Sequence, residues 1–236
     1  MKKIENIFIK NIYDKLLKEY GVQGWWPIQS HKGSNPTKTG AIHGYHPGDY
    51  SFPRTKDEKF EIILGAILTQ NTAWPNVEKA LNRLLVLANN PKDLLRLSND
   101  MIKEAIKPAG YFNQKTIYLK EISAFLLEKQ DQTPSRKELL GVKGIGPETA
   151  DSILLYAFKE PEFVIDAYTK RICLHLDIIN QEEKKTYDEI KNLFEKNLSK
   201  DFKLFQEYHA LIVEHAKRYY SKRPYNDFVL ELFRKK

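Results

Sequence analysis

The sequence predicts an all-α fold, and three observations support this prediction. Apolar residues recur at intervals of three and four along most of the chain, whereas the alternating pattern of strands is scarce. Pro75, Thr133 and Asp166 stand where new helical stretches begin, as helix-starting residues do. With 42% hydrophobic residues, the 236-residue chain can build one large domain or two small ones.

The predicted helices follow one another closely, apart from one long polar segment. The apolar face of the first helix consists of Ile4, Ile7, Phe8, Ile12 and Leu16. Residues 23–57 are rich in Gly, Pro, Ser, Thr and His, and we expect them to form a long ordered loop with a functional role. Further helices are predicted over 57–68, 75–87, 92–97, 99–107, 111–127, 134–140, 147–158, 166–176, 186–198 and 201–220.

Composition restricts the classes of function that the chain can have. Lys and Arg number 38 against 31 Asp and Glu, a net charge of +7 that favours a polyanionic partner, although many soluble proteins are equally basic. The single Cys173 excludes an intramolecular disulfide, a cysteine-ligated iron–sulfur cluster and a cysteine-rich zinc site. The chain shows neither a signal peptide nor a membrane-spanning stretch, so we expect a cytoplasmic protein.

The segment LLGVKGIGPETADSILLYA at 139–157 is the most informative stretch. Two amphipathic helices flank a glycine-rich turn, and a helix N-terminus with free amide groups follows that turn. Such a hairpin can hold a phosphate without reading any base. The alternative is an ordinary glycine turn. The predicted phosphate-binding residues are Gly141, Lys143, Gly144, Ile145, Gly146 and Thr149.

A carboxylate follows this hairpin at a fixed interval. Asp166, in FVIDAYTKRI, comes 18 residues after Glu148 and directly after the apolar pair Val164 and Ile165. It therefore lies at the edge of a core and at the start of a helix. The alternative is a plain N-cap aspartate, which such a position also favours.

The hairpin and the aspartate together resemble the helix-hairpin-helix (HhH-GPD, endonuclease III-like) superfamily of DNA glycosylases. The resemblance covers about residues 55–220 and includes the segments 60–72, 110–119 and 208–220. It implies two helical lobes with the active site in the cleft between them. One is a six-helix barrel over 55–161 that includes the hairpin, and the other combines 1–54 with 162–236. The implied activity is removal of a damaged, flipped-out base from double-stranded DNA by a monomeric enzyme.

The resemblance also implies a catalytic pair, Asp166 and Glu148. Positive charge develops on the deoxyribose when its bond to the base breaks, and the carboxylate of Asp166 can stabilise it and activate water. Bifunctional family members carry a lysine nucleophile where this chain has Glu148. Because glutamate cannot form an imine, we expect a monofunctional enzyme. A lyase reaction through Lys143 or Lys170 stays open.

The C-terminal tail departs from the family in a second way. It resembles the iron–sulfur loop of family members with every cysteine replaced, so we expect no iron–sulfur cluster and no other cofactor. A monovalent cation at the hairpin stays open. The residues expected to pack in place of the cluster are Tyr219, Tyr220, Tyr225 and Phe228.

Two further sets of residues bear on the base that is removed. Gln70 and Asn71 correspond to the segment that family members insert into the gap left by the flipped nucleotide, although a solvent-exposed helix end is the alternative. Trp25, Trp26 and Trp74 are predicted to form a base pocket similar to that of the 3-methyladenine branch. Electron-rich rings bind cationic alkylpurines well, but tryptophans commonly brace cores.

Two alternative functions fit the same residues. A glycosylase for oxidised or deaminated bases fits the same motifs, and a non-catalytic DNA-binding protein fits the hairpin and the charge.

His31, His43 and His46 share the polar loop, but their spacing matches no zinc pattern, so we expect surface histidines. Lys217, Arg218, Lys222 and Arg223 either contact phosphates or belong to a solvated face.

Overall fold

The computed structural model describes residues 2–38, 43–180, 182 and 184–234, and the side chains from Phe8 onward. The predicted face at Ile4 and Ile7 therefore lies outside the described side chains. The described residues contain no β-strand, which confirms the all-α prediction. The helices are α1 (Lys2–Tyr20), α2 (Lys56–Leu68), α3 (Trp74–Leu87), α4 (Pro91–Arg96), α5 (Asn99–Ile106), α6 (Phe112–Lys129), α7 (Arg136–Gly141), α8 (Pro147–Ser152), α9 (Ala167–His175), α10 (Tyr187–Asn197) and α11 (Phe202–Tyr219).

Side-chain caps define where several helices begin. Thr55 caps α2 and forms a capping box with Glu58, so the helix begins at the predicted place. The prediction that Thr133 and Pro134 start the next short helix is wrong, because Ser135 caps α7 in a box with Glu138. Ser135 can satisfy the first amides of α7 from an extended backbone, which is the geometry that an N-cap requires.

Most of the helices pack in two groups, and one π-helical turn contacts both groups. Helices α2, α3, α5 and α6 contact one another, and α4 packs on α6. Helix α1 contacts α10 and α11, and α9 also packs on α11. Helix α8 continues as a π-helical turn, Ile153–Ala157, which contacts both α2 and α11. The division into lobes at residues 55 and 161 stays a prediction.

Buried carboxylates order the long segment between α1 and α2. Glu207 on α11 is buried and accepts hydrogen bonds from the Gln23 N–H at 2.6 Å and from the Tyr50 hydroxyl at 3.0 Å. Glu61 on α2 accepts from the Gln29 N–H at 2.7 Å, and burial raises its pKa to about 7. These bonds satisfy backbone groups that the segment cannot pair within itself.

A buried polar network ties the C-terminal tail to α1 and α11. His215 bonds through Nδ1 to the Tyr20 hydroxyl at 2.8 Å and through Nε2 to Asp227 Oδ2 at 2.7 Å. The Tyr220 hydroxyl donates to the same carboxylate oxygen at 2.7 Å. The other oxygen accepts from the backbone N–H groups of residues 229 and 230. Every oxygen of the buried Asp227 carboxylate is therefore paired.

This tail does not fit an iron–sulfur cluster. A cluster of this type takes thiolate ligands, whereas the chain has one cysteine, Cys173, which is buried in α9. Tyr220 is fully buried, in agreement with the predicted aromatic packing, and Tyr219 and Tyr225 are partly buried. The prediction is wrong for Phe228, which is 73% exposed and only meets the edge of the Tyr219 ring.

None of the described helices has the length and the apolar character needed to cross a membrane.

We expect Asp227→Asn to destabilise the protein by about 1–3 kcal/mol at pH 7, because a charged acceptor of several hydrogen bonds is lost. Burial disfavours the Asp227 charge, but bonds from His215 and Tyr220 outweigh it and lower the pKa of this carboxyl. A lowered pKa stabilises the fold above the unfolded value of about 3.9, and this contribution is lost as the pH falls through the folded value.

Urea unfolding at pH 7 and at pH 3 measures this effect. The difference between wild type and Asp227→Asn should shrink at the lower pH. Asp100→Asn is the control, because the Asp100 side chain is 93% exposed. Equal stability of all three proteins at pH 7 would contradict the prediction.

Candidate active site

The predicted hairpin joins α7 to α8 and has the expected backbone. Gly144 adopts a φ of 90°, in the left-handed region that favours glycine, and Gly146 is the N-cap of α8. Pro147 occupies the first turn, so the following amides of α8 are available to an external acceptor. Gly141, Lys143 and Gly146 are exposed at this surface.

Two of the predicted phosphate ligands face inward instead. Ile145 is buried, as expected for a residue that braces the turn, but its N–H donates to the Val142 carbonyl at 3.1 Å. Thr149 is also buried, and its hydroxyl accepts a hydrogen bond from Gln70. In this conformation the Ile145 N–H and the Thr149 hydroxyl already have partners inside the protein, and phosphate binding by the two residues stays a prediction.

Gln70 connects the turn after α2 to the hairpin. Its amide Nε2 donates to the Gly144 carbonyl at 2.9 Å and to Thr149 Oγ1 at 3.1 Å. Insertion of Gln70 into a duplex would break both bonds. Asn71 is exposed in the left-handed conformation at the tip of the same turn, so it reaches solvent without rearrangement. The inserting role of both residues stays a prediction.

A buried ion-pair network that we did not predict supports the hairpin from below. Asp151 on α8 is fully buried and forms a two-pronged pair with Arg136 of α7, at 2.7 and 3.2 Å. Lys191 of α10 donates to Asp151 at 3.1 Å and also pairs with Glu162. The network joins α7, α8 and α10. Its signal in the sequence is Asp151 itself, a charge directly before the apolar run that begins at Ile153.

Asp166 divides its carboxylate between two tasks. Oδ1 accepts from the N–H and the hydroxyl of Thr169, both at 2.7 Å, and so caps α9. Oδ2 lies 4.0 Å from His209 Nε2, and the side chain keeps 14% of its surface exposed. The N-cap interpretation is therefore right for Oδ1, whereas Oδ2 takes no part in the cap.

Glu148 lies within electrostatic range of Asp166. The pKa of Glu148 is raised to about 7, first by burial of its carboxyl group and second by the charge of Asp166, while Lys170 opposes the rise. Part of the residue is nevertheless exposed at the start of α8. The hairpin and α9 thus bring together two carboxyl groups in different environments, which is typical of acid–base sites.

The three tryptophans pack on one another, with ring centroids 4.6–5.4 Å apart. Trp25 is partly exposed and lines a small cavity, whereas Trp26 and Trp74 are buried behind it. Trp26 and Trp74 thus pack behind Trp25 in this conformation, and the base-pocket role of the three tryptophans stays a prediction. A Cβ at Gly65 on α2 would come within 3.0 Å of the Trp26 indole, so glycine allows this close packing.

The cavity beside Trp25 lies between the long loop and α11. Its volume is about 20 Å³, which is room for one water molecule, so a nucleobase could enter only after side chains move. The residues that line it with Trp25 are Gln23, Tyr45, Ala210, Val213, Glu214 and Lys217. Sequence reasoning missed Tyr45, an aromatic residue within the same loop as the tryptophans.

Lys217 belongs to the wall of this cavity. Its Nζ lies 5.9 Å from the centre of the Trp25 ring. Burial lowers the pKa of Lys217, and the Glu214 carboxylate opposes this effect. Glu214 pairs with Arg218 at 2.8 Å. Lys217, Arg218 and Glu214 thus form a charged group beside the cavity, and whether the tail cations contact phosphates or form a solvated face stays open.

Lys115 on α6 is a buried lysine that the sequence analysis did not single out. Its Nζ donates to the Leu68 carbonyl at 2.8 Å, to Thr72 Oγ1 at 2.7 Å and to the Ala109 carbonyl at 3.0 Å. Burial lowers its pKa to about 8. Lys115 thereby fixes the turn that carries Asn71 against the turn before α6.

The histidines of the long loop form no metal site within the described residues. His46 is buried and bonds to the carbonyls of Trp26 and Asp49, both at 2.8 Å. The prediction of a surface histidine is wrong for His46, which holds the loop that carries Trp25. His43 is exposed, as predicted.

Comparison with known proteins identifies the class to which this fold and site belong. Residues 64–200 match the HhH-GPD superfamily of base excision DNA repair proteins. A relative from Methanocaldococcus jannaschii, which carries the provisional name of DNA repair glycosylase, is 42% identical over 94% of this chain and 93% of its own. The chain therefore belongs to the HhH-GPD superfamily, and it is a DNA N-glycosylase of base excision repair.

Solved structures agree with this assignment. The 3-methyladenine DNA glycosylase of Helicobacter pylori, bound to 1,N6-ethenoadenine, is 28% identical with a TM-score of 0.65, over 91% of this chain and 97% of that one. A non-covalent complex of endonuclease III with DNA has a TM-score of 0.74 at 16% identity, over 96% and 94% of the two chains. The second likeness concerns the fold alone.

We expect Gly144→Ala to weaken binding to undamaged duplex DNA roughly tenfold, equal to about 1.4 kcal/mol. The left-handed φ of 90° disfavours alanine, and its Cβ would overlap the ring of Tyr118, so the hairpin must shift. Gly48→Ala is the matched control, because Gly48 also has a left-handed φ, at 76°, lies outside the hairpin and has no atom within 4 Å of its Cβ. Fluorescence anisotropy measures both affinities, and equal loss in the two variants would contradict this role.

Proposed function

We propose that this protein is a monofunctional glycosylase that hydrolyses the N-glycosidic bond of a damaged, flipped-out base in double-stranded DNA. The observation that carries the proposal is a pair of carboxyl groups near the hairpin. Asp166 has one carboxylate oxygen that the helix cap does not use, and Glu148 lies within electrostatic range of it. Bifunctional relatives place a lysine nucleophile where this chain has Glu148, and a carboxyl group cannot form the imine.

The proposed reaction uses water as the only co-substrate. The hairpin binds a DNA phosphate through the first amides of α8, and the damaged nucleotide turns out of the duplex. The bond between C1′ and the base nitrogen breaks, and its electron pair leaves with the base. Asp166 stabilises the positive charge on the sugar and accepts a proton from the water that bonds to C1′. The products are a free base and an abasic site.

We propose an alkylated purine, such as 3-methyladenine, as the base. Trp25 and Tyr45 give the cavity aromatic walls, with ring centroids 5.8 Å apart, and such rings bind the cationic ring of an alkylpurine. The Helicobacter pylori relative, which acts on 3-methyladenine by name, supports this choice. The base must displace Lys217 or Trp25, because the cavity is small as it stands.

One observation favours a second candidate, an oxidised or deaminated base that carries no charge. The Lys217 side chain lies over Trp25, where its ammonium group would repel a cationic purine. Hydrogen bonds from an amine would instead suit the carbonyl oxygens of a neutral lesion. The two candidates differ in the charge of the base and not in the chemistry at the sugar.

A panel of duplexes, each with one modified base, distinguishes these candidates. We expect release of 3-methyladenine, and an abasic site that breaks only on treatment with alkali. Release of neutral lesions alone would support the second candidate. Absence of release from every duplex would contradict the proposed activity.

Asp166→Asn should lower the single-turnover rate of base release about 100-fold or more. Asparagine also caps helices well, so the fold and the affinity for an abasic-site analogue should be retained. Asp100→Asn, at an exposed position, should behave like wild type. An active Asp166→Asn protein would remove the proposed role of this carboxylate.

Borohydride trapping on abasic DNA tests the monofunctional assignment. Wild type should give no covalent adduct, whereas Glu148→Lys should give one, because an amine then stands beside Asp166. An adduct with wild type would contradict the proposal. Its disappearance in Lys170→Ala would identify Lys170 as the nucleophile, since this is the lysine within electrostatic range of Glu148.

A further inference from the structure

His209 on α11 stands between the catalytic carboxylate and a buried tyrosine. Only 7% of its surface is exposed. Nδ1 lies 2.7 Å from the hydroxyl of Tyr156, on the π-helical turn, and Nε2 lies 4.0 Å from Asp166 Oδ2. Among the described residues, none forms a hydrogen bond with Nε2. A buried imidazole nitrogen thus points at the one oxygen of Asp166 that the helix cap does not use.

Electrostatics decides which nitrogen of the neutral ring carries the proton. A proton on Nε2 faces the negative charge of Asp166, whereas a lone pair there would be repelled by it. The Tyr156 hydroxyl then donates to Nδ1. Burial, with the charges of Glu207 and Asp166, raises the pKa of Tyr156 well above its usual value, so the hydroxyl keeps this proton.

We propose that His209 is a positioning residue for Asp166, whose Nε2–H holds the second carboxylate oxygen ionised and directed at the extruded nucleotide. This inference rests on the proposed function, in which Asp166 is the catalytic carboxylate. Oδ1 is already fixed by Thr169, so an interaction at Oδ2 restrains the remaining rotation of the group.

A neutral donor suits this position better than a cation. Burial lowers the pKa of His209, and the charge of Asp166 opposes the shift. A neutral imidazole orients the carboxylate, whereas an imidazolium would cancel the negative charge that stabilises the sugar cation. The titratable and charged groups around the pair are Tyr156, Glu148, Lys170, Cys173 and Glu207.

Two substitutions separate the donor from the packing of the ring. In His209→Gln, the amide nitrogen can take the place of Nε2 and keep a donor toward Asp166. In His209→Asn, the shorter amide can keep the contact with Tyr156 but cannot reach Oδ2. Circular dichroism, thermal unfolding and affinity for an abasic-site analogue establish that both variants fold and bind DNA.

Single-turnover base release is then measured from pH 5 to pH 9. We expect His209→Asn to lower the rate about tenfold, as for loss of one close electrostatic contact with a charged group, and to move the acid limb of the pH profile upward. His209→Gln should stay within about threefold of wild type, with the acid limb in place. A purely structural role would lower the rate without moving this limb.

Nuclear magnetic resonance of ¹⁵N-labelled histidines tests the contact without any substrate. The His209 signal, assigned from its loss in His209→Gln, should show a proton on Nε2 near pH 7. Its titration midpoint should fall in Asp166→Asn, because the charge that favours protonation is gone. Asp227→Asn is the control, since it changes the partner of His215 and not that of His209.

Two results would overturn the inference. The first is a wild-type rate and pH profile in His209→Asn, and the second is a His209 midpoint that is unchanged in Asp166→Asn. Failure of the proposed function would give a different set of results. In that case no duplex releases a base, or Asp166→Asn remains active, while the magnetic resonance titration still decides whether His209 and Asp166 interact.

Discussion

The helix cap at Asp166 is the interaction on which the site depends. One carboxylate oxygen accepts hydrogen bonds from the Thr169 N–H in the first turn of α9 and from the Thr169 hydroxyl, which fixes the side chain in space. The other oxygen lies 4.0 Å from His209 Nε2. Because the cap and the proposed catalytic role use different oxygens, the two roles do not compete for the same atom.

The hairpin opposite Asp166 is held by ion pairs and not by packing alone. Asp151, Arg136 and Lys191 form a paired group beneath the turn, and burial makes the loss of any one partner expensive. Gln70 reaches across from α2 to the hairpin carbonyl at Gly144. A hydrogen bond therefore joins the hairpin, which is proposed to hold the phosphate, to the turn after α2, which is proposed to enter the duplex.

Elsewhere, buried polar side chains hold the long loop and the C-terminal tail in place through hydrogen bonds. Glu61, Glu207 and His46 pair with the backbone of the long loop and so hold Trp25 and Tyr45 at the cavity. At the C-terminus, Asp227 and His215 tie the tail to α1. These networks are fully paired, which is the condition under which burial of polar groups is tolerated.

The sequence by itself determined the helical fold, the hairpin, the Asp166 cap and the replacement of the family lysine by Glu148. All four are local features, because helix periodicity, glycine turns and caps involve residues within a few positions of one another. Only the tertiary structure decided which side chains are buried and which distant residues contact each other. Ile145 and Thr149 turned inward, Trp26 and Trp74 lie behind Trp25, and His209 reached Asp166 from a helix more than 40 residues away. Such contacts depend on how distant helices pack, and no pattern of spacing along the chain encodes them.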